Sequence, residues 1–170
     1  MKRRESVSEE ADRLESLDVP EVSLDVVVRD GKRFVRDPVR RKLVRLTPEE
    51  WVRQYLLQYL IGILRVPPGL IAVEKAFDFN GMTRRADVVV YDRGARPVVL
   101  VECKAPDVAI DQSVFDQVGR YNTAVGALFV IVSNGIAHYC YRMDASAKIL
   151  TFVSGLPEYE ELILERAKDS

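Results

Sequence analysis

The 170-residue chain has 25 basic and 26 acidic side chains and is 48% hydrophobic, which suits one domain with short appendages and a real core. A net charge of −1 excludes a uniformly basic nucleic-acid binder. No apolar run approaches the roughly 18 residues of a membrane span, and the polar opening lacks the apolar core of a secretory signal, so a soluble cytoplasmic protein without a membrane partner is expected.

Residues 1–20 are polar, carry no apolar period, and read as a flexible or partly helical lead. Residues 21–156 read as the main domain. An apolar-rich stretch over residues 22–28, the turn pair Asp30-Gly31 and a return over residues 33–35 predict an N-terminal β-hairpin. Charge is uneven here. Residues 1–22 hold seven acids against four bases, whereas residues 29–45 hold eight bases against Asp30 and Asp37. Such a patch can grip phosphates, or it can be a solvated charged hairpin.

Thr47-Pro48-Glu49-Glu50 starts a helix: Thr47 can cap, Pro48 fits the first helical position, and Glu50 completes a capping box. Trp51, Tyr55, Leu56, Tyr59, Leu60 and Ile63 recur at spacings of three and four, which carries one apolar stripe to about residue 64. Pro67-Pro68-Gly69 stops it. Strands follow over residues 70–77, 86–91 and 97–103, separated by Asn80-Gly81 and by a Gly94 turn. A helix opening at Asp111 or Ser113 ends near Gly126, and strands over residues 127–133, 138–143 and 149–153 come next. Residues 157–170 form a closing amphipathic helix, packed on the domain or trailing it. The fold class is α/β, a mixed central sheet with helices on both faces.

Cys103 and Cys140 belong to no CxxC or Cys/His cluster, and His138 has no ligand-spaced partner, so they read as core residues and a structural histidine. Asp87, Glu102 and Lys104 differ: they are charged, yet sit in or beside apolar runs. Residues two apart on a strand share a face, so Glu102 and Lys104 point together. Burying unpaired charge is costly. Two carboxylates held close most simply share a divalent cation, and oxygen ligands suit Mg²⁺ or Mn²⁺. Without the cation the pair repels, so Asp87→Asn is expected to stabilise the chain. A structural salt bridge between Asp87 and Lys104 predicts the opposite sign.

Arg85-Ala86-Asp87-Val88-Val89-Val90 followed by Val99-Leu100-Val101-Glu102-Cys103-Lys104-Ala105-Pro106 resembles the PD-(D/E)XK nuclease signature, with Ala86 where proline often stands. Within that superfamily, about residues 36–143 resemble the N-terminal nuclease domain of type I restriction enzyme R subunits. The resemblance implies a restriction-endonuclease-like fold with an α-β-β-β-α-β core and metal-dependent hydrolysis of DNA. Asp87 and Glu102 would hold the metal and Lys104 would position the attacking water. Gln117 and Tyr121, four apart on a helix, resemble the Q-x-x-x-Y motif that flanks such sites. Glu50 caps the helix or approaches the metal, and Glu74 is an exposed edge residue or lines the site. Arg84 and Arg85, with Arg40, Arg41 and Lys42, are the expected holders of the DNA backbone. No G-x-x-x-x-G-K-[ST] loop occurs in these residues, so a motor or specificity subunit is an expected partner. One site cuts one strand, so a double-strand break requires a homodimer or two encounters. The alternative is a DNA-binding or assembly module that keeps the fold without cutting, or that cuts only within a larger complex.

Overall fold

The computed structural model describes residues 16–144 and 149–169. Two antiparallel hairpins turn on residue pairs whose left-handed φ values suit a two-residue type I′ turn: Asp30-Gly31 at 49° and 72°, and Asn80-Gly81 at 52° and 75°. The first joins β1 (Val26–Arg29) to β2 (Lys32–Arg36), and β3 (Leu43–Arg45) pairs with β2 to complete a three-stranded sheet. The predicted hairpin therefore gains a third strand and starts at residue 26 rather than 22. Only Leu43 and Val44 are apolar in β3, too few to read as a strand.

α1 (Pro48–Gln58) starts where predicted: the Glu50 N–H bonds Thr47 Oγ1 at 3.1 Å. Over Tyr59–Ile63 it widens into a π turn, closed by Leu64 N–H on the Tyr59 carbonyl. The wider turn rotates the apolar stripe off its 3.6-residue period. Ile63, expected on the buried face, is 45% exposed as a result.

Six strands then form one sheet in the order β4-β5-β6-β7-β8-β9. β4 (Ile71–Phe79), β5 (Met82–Tyr91) and β6 (Pro97–Cys103) are a meander. α2 (Gln112–Val125) carries the chain to β7 (Phe129–Ser133), which runs parallel to β6. β8 (His138–Asp144) and β9 (Ile149–Val153) add antiparallel strands, and α3 (Tyr159–Lys168) closes the fold. A crossover helix is what a parallel pair requires.

The sheet is covered on both faces. Val88, Val90, Val99, Val101 and Ile131 pack with Val52, Leu56 and Leu60 of α1 and with Tyr159 and Leu162 of α3. Val89, Leu100, Val130 and Val132 pack with Val114, Phe115 and Val118 of α2. This alternation explains the unbroken apolar runs of β5 to β7. Each fully buried Val or Leu adds roughly 1.5–3 kcal/mol of transfer free energy, which is what holds the charged cluster described below in a dry setting.

Residues 1–15 of the expected lead lie outside the described residues. Residues 16–18 depart from it: Leu17 is 3% exposed, its N–H bonds the His138 carbonyl, and Asp18 N–H bonds the Ser154 carbonyl. Leu17 supplies the apolar anchor that its polar neighbours hide in the sequence. Cys103 and Cys140 are buried thiols, as expected. His138 accepts or donates one hydrogen bond with Ser133 Oγ at 2.7 Å and stacks on Tyr55. No helix among the described residues is long and apolar enough to cross a membrane.

Candidate functional site

The site begins where β5 leaves its neighbours. Val88 pairs with Val101 across β5 and β6, and one further step would set Asp87 opposite Glu102. The ladder stops there, and the Cys103 N–H donates to Asp87 Oδ2 at 2.8 Å. On the other side, Val73 pairs with Val88 and Lys75 with Ala86, while Glu74, in the place facing Asp87, has a left-handed φ of 54°. A non-glycine residue held so costs about 1–3 kcal/mol and persists only where its surroundings impose it. Both sheet neighbours of Asp87 are thus displaced from regular pairing, which frees room around its carboxylate.

α1 fills that room from one side. Glu49, Glu50, Arg53 and Gln54 lie three and four residues apart on one helical face. Arg53 Nη2 donates to Asp87 Oδ1 at 2.7 Å, and Nη1 bonds Glu50. Glu49 lies 3.5 Å from Arg53. Gln54 Nε2 donates to Glu50 Oε1 at 3.0 Å and to Asp37 Oδ2 at 2.7 Å. The turn between β2 and β3 joins the same cluster: Arg40 Nε bonds Asp37 Oδ2 at 2.8 Å, and Arg40 Nη2 bonds Glu50. Glu74 Oε2 closes the rim, 3.3 Å from Arg40.

Lys104 Nζ lies 3.2 Å from Glu102 Oε1. Burial, then the Asp87 charge, push the Glu102 carboxyl up to about 7, against the pull of Lys104. Glu49 is raised, by burial and then by Asp87. Arg53 stays firmly protonated: burial opposes its charge, and the bond and charge of Asp87, then Glu50, outweigh burial. For Asp37, burial is likewise outweighed, by the Arg40 backbone N–H and guanidinium and the Gln54 amide, which hold it low.

Asp87 therefore bonds the N–H of the residue that stands between Glu102 and Lys104, and Lys104 pairs with Glu102. The cation on Asp87 is Arg53, not Lys104, so the carboxylate expected to be repelled by Glu102 already has a buried partner. Glu50 departs from its expected cap role: its N–H completes the cap while its carboxylate serves Arg40, Arg53 and Gln54. Glu74 is 43% exposed in its side chain and joins at the rim. Gln117 Nε2 bonds Tyr121 Oη at 3.0 Å, and the Tyr121 ring meets Phe77 and Phe79 edge-on. No hydrogen bond or ion pair among the described residues ties that pair to Asp87, Glu102 or Lys104. Arg84 and Arg85 are exposed on β5, and Arg41 and Lys42 are exposed in the β2–β3 turn. Arg40 is a correction: expected on DNA, it is held inside by Asp37, Glu50 and Glu74 at 18% side-chain exposure.

Sequence reasoning missed Arg53, Gln54, Glu49 and Asp37. Their signal was the four-residue spacing of Glu49 with Arg53 and of Glu50 with Gln54 beside the apolar stripe, which reads equally as a solvated face. The apolar cavity lined by Leu128, Met143, Leu150 and Arg166 contains none of these residues. Among the described residues, no group of three or more His, Cys, Asp or Glu side chains is arranged to hold a metal. Mg²⁺ keeps several waters and takes one or two carboxylates, so Glu102 and Asp87, whose oxygens accept from Arg53 and the Cys103 N–H, are the residues that would hold it.

No curated protein matches the chain. Among solved structures, a fragment described as the HsdR subunit of a type I restriction enzyme from Vibrio vulnificus YJ016 has the same fold, with a TM-score of 0.54 and 23% identity. The similarity covers 73% of this chain and 26% of that one, so this chain spans about a quarter of its structural neighbour. Residues 48–157, well over half of the chain, match the family described as type I restriction enzyme R protein N terminus (HSDR_N). That stretch holds α1, the six-stranded sheet and every residue of the charged cluster except Asp37 and Arg40, and the chain belongs to this family.

Proposed function

We propose that the chain is a metal-dependent DNA endonuclease domain of restriction type, acting in the cytoplasm. The observation that carries this reading is the meeting of Asp87, Glu102 and Lys104 where β5 and β6 stop pairing. Asp87 and Glu102 would hold Mg²⁺ or Mn²⁺. Such an ion supplies a Lewis acid for a phosphate oxygen and a lowered pKa for a water. Glu102 is raised to about 7 by burial and by Asp87 despite Lys104 beside it, and a further cation there would favour its ionised form. Lys104 would orient the attacking water and offset charge growing on the phosphate. Exposed Arg84, Arg85, Arg41 and Lys42 would hold the backbone around the site.

The test is nicking of supercoiled DNA by the purified chain in Mg²⁺ or Mn²⁺. Nicking should vanish in EDTA and in Lys104→Ala, with the melting curve retained. Equal nicking by wild type and Lys104→Ala removes the case for this site. The Arg53–Asp87 bond favours a second reading, a DNA-binding or assembly module that cuts only with a motor or specificity subunit, or not at all, because Asp87 already has its cation. DNA binding without nicking under either ion would support it.

A further inference from the structure

The eight bases of residues 29–45 do not act as one patch. Across β1, β2 and β3, Arg29 pairs with Lys32, Val27 with Phe34 and Phe34 with Arg45, and Arg36 with Leu43. Directly opposed residues share a face, as do residues two apart on one strand. Arg29, Lys32, Arg36 and Arg45 therefore stand on one face with Val27, Phe34 and Leu43 between them. The opposite face carries Val26, Val28, Arg33, Val35 and Val44, and Val35 is 3% exposed, so the Val35 end of that face is turned to the body.

All four bases are exposed, and none makes an ion pair among the described residues. No acid lies on that face within the three strands: Asp30 is at the turn, and Asp37 is buried with its carboxylate bound to Arg40 and Gln54. Lys32 to Arg36 spans about 13 Å of strand, which is about four steps of the duplex axis at 3.4 Å each. The face is fixed to the site by the turn that follows it, since Asp37 and Arg40 bond Gln54 and Glu50 on the helix whose Arg53 holds Asp87. It also lies outside residues 48–157, the part that matches the family.

We infer that the outer face of the β1–β2–β3 sheet is a nucleic-acid backbone track, in which Arg29, Lys32, Arg36 and Arg45 contact successive phosphates and lead the strand toward Asp87 and Glu102. Charge complementarity selects the partner: four solvated cations with no acid among them match a polyphosphate chain. The inference rests on the reading that this chain acts on DNA, and its test separates the two.

The full chain is titrated in EDTA against a fluorescein-labelled 20-base-pair duplex over a salt series. Wild type is compared with Arg29→Ser/Lys32→Ser/Arg36→Ser/Arg45→Ser and with the single changes Lys32→Ser and Arg45→Ser. Losing four phosphate contacts should lower the slope of log affinity against log salt by about 3–4, and each single change by about 0.9. Affinity at 0.1 M salt should fall about tenfold or more in the quadruple variant. The singles keep the result readable if the quadruple variant melts early. Unchanged slopes in the singles overturn the track. So does binding to phosphatidylserine vesicles with the same residue dependence but no binding to the duplex. Unchanged slopes with Lys104-dependent nicking intact would leave the nuclease reading standing and the track gone; a wild type that neither binds nor nicks DNA would remove both.

Discussion

The cluster between α1 and β5 and the outer face of the three-stranded sheet are built from the same side chains, arginines above all, and physics uses them in opposite ways. Arg53 is 6% exposed in its side chain and holds Asp87, Glu50 and Glu49; Arg40 is 18% exposed and holds Asp37, Glu50 and Glu74. Arg29, Lys32, Arg36 and Arg45 are exposed and make no ion pair among the described residues. Taking a charge out of water obliges it to find an opposite charge, whereas a solvated charge needs none. Exposure, not residue type, decides whether a cation is part of the structure or a handle for a ligand.

The comparison breaks most visibly at Arg53. Arg53→Met leaves Asp87 buried without its cation and leaves Glu50 with Arg40 alone, and a broken buried pair costs about 3–5 kcal/mol. Urea unfolding checks it; a loss below about 1 kcal/mol would mean that the pair is as weak as a surface pair. Arg53→Lys should recover only part, because one ammonium cannot reproduce the fork that spans two carboxylates.

Asp87 and Glu102 sharpen it. Asp87→Asn removes the partner of a buried guanidinium and should lower stability by about 3 kcal/mol, the reverse of the relief that two bare carboxylates predict. Glu102→Gln should raise stability in EDTA above neutral pH. The unfolded carboxyl ionises near 4.5 and the folded one near 7, so between these values folding takes up a proton and stability falls as pH rises. At about 1.4 kcal/mol per unit over the interval from 4.5 to about 7, the gain of the Gln variant should be about 3 kcal/mol at pH 8. It should vanish below pH 4.5, where both states carry the proton. Thermal melts at pH 4 and pH 8 read the difference, and a pH-independent gain would show that packing, not charge, is responsible.

The smallest effects belong to the solvated charges. Lys32→Ser should leave unfolding within about 0.5 kcal/mol of wild type while moving the salt slope for DNA. Glu160→Gln, which removes the exposed partner of Arg93, should not measurably shift the melt. A clear loss at either site would erase the distinction between the two regions.

Most of the sheet was legible because its residues obey short-range rules. Pro97–Cys103 and Ile149–Val153 read correctly from apolar runs between turn residues, and α2 from Asp111 and Gly126 at its ends. Asp87, Glu102 and Lys104 stood out for the converse reason, as charges among apolar neighbours. Arg53 and Gln54 were hidden because their partners lie far along the chain: 34 residues separate Arg53 from Asp87, and 17 separate Gln54 from Asp37. Helical spacing can say that Glu50 and Gln54 share a face, but only the docking of the β2–β3 turn makes that face an interior. β3 was missed because its pairing with β2, rather than its own propensity, makes it a strand.

The π turn at Tyr59–Ile63 holds one residue more than an α-helix needs for the same closure. It follows Glu49, Glu50, Arg53 and Gln54 along the helix and precedes Leu64, whose carbonyl accepts the Tyr159 N–H. Deletion of one residue there can be absorbed by reverting to α geometry, with the first three turns still seated on Asp37 and Asp87. The same change before Gln58 would rotate Arg53 about 100° off its carboxylates, at 3.6 residues per turn. Evolution should therefore tolerate a one-residue deletion on one side of Gln58 and not the other. Homologues aligned to this chain are expected to place their helix gaps within residues 59–63, and gaps clustered within residues 48–57 instead would contradict that history.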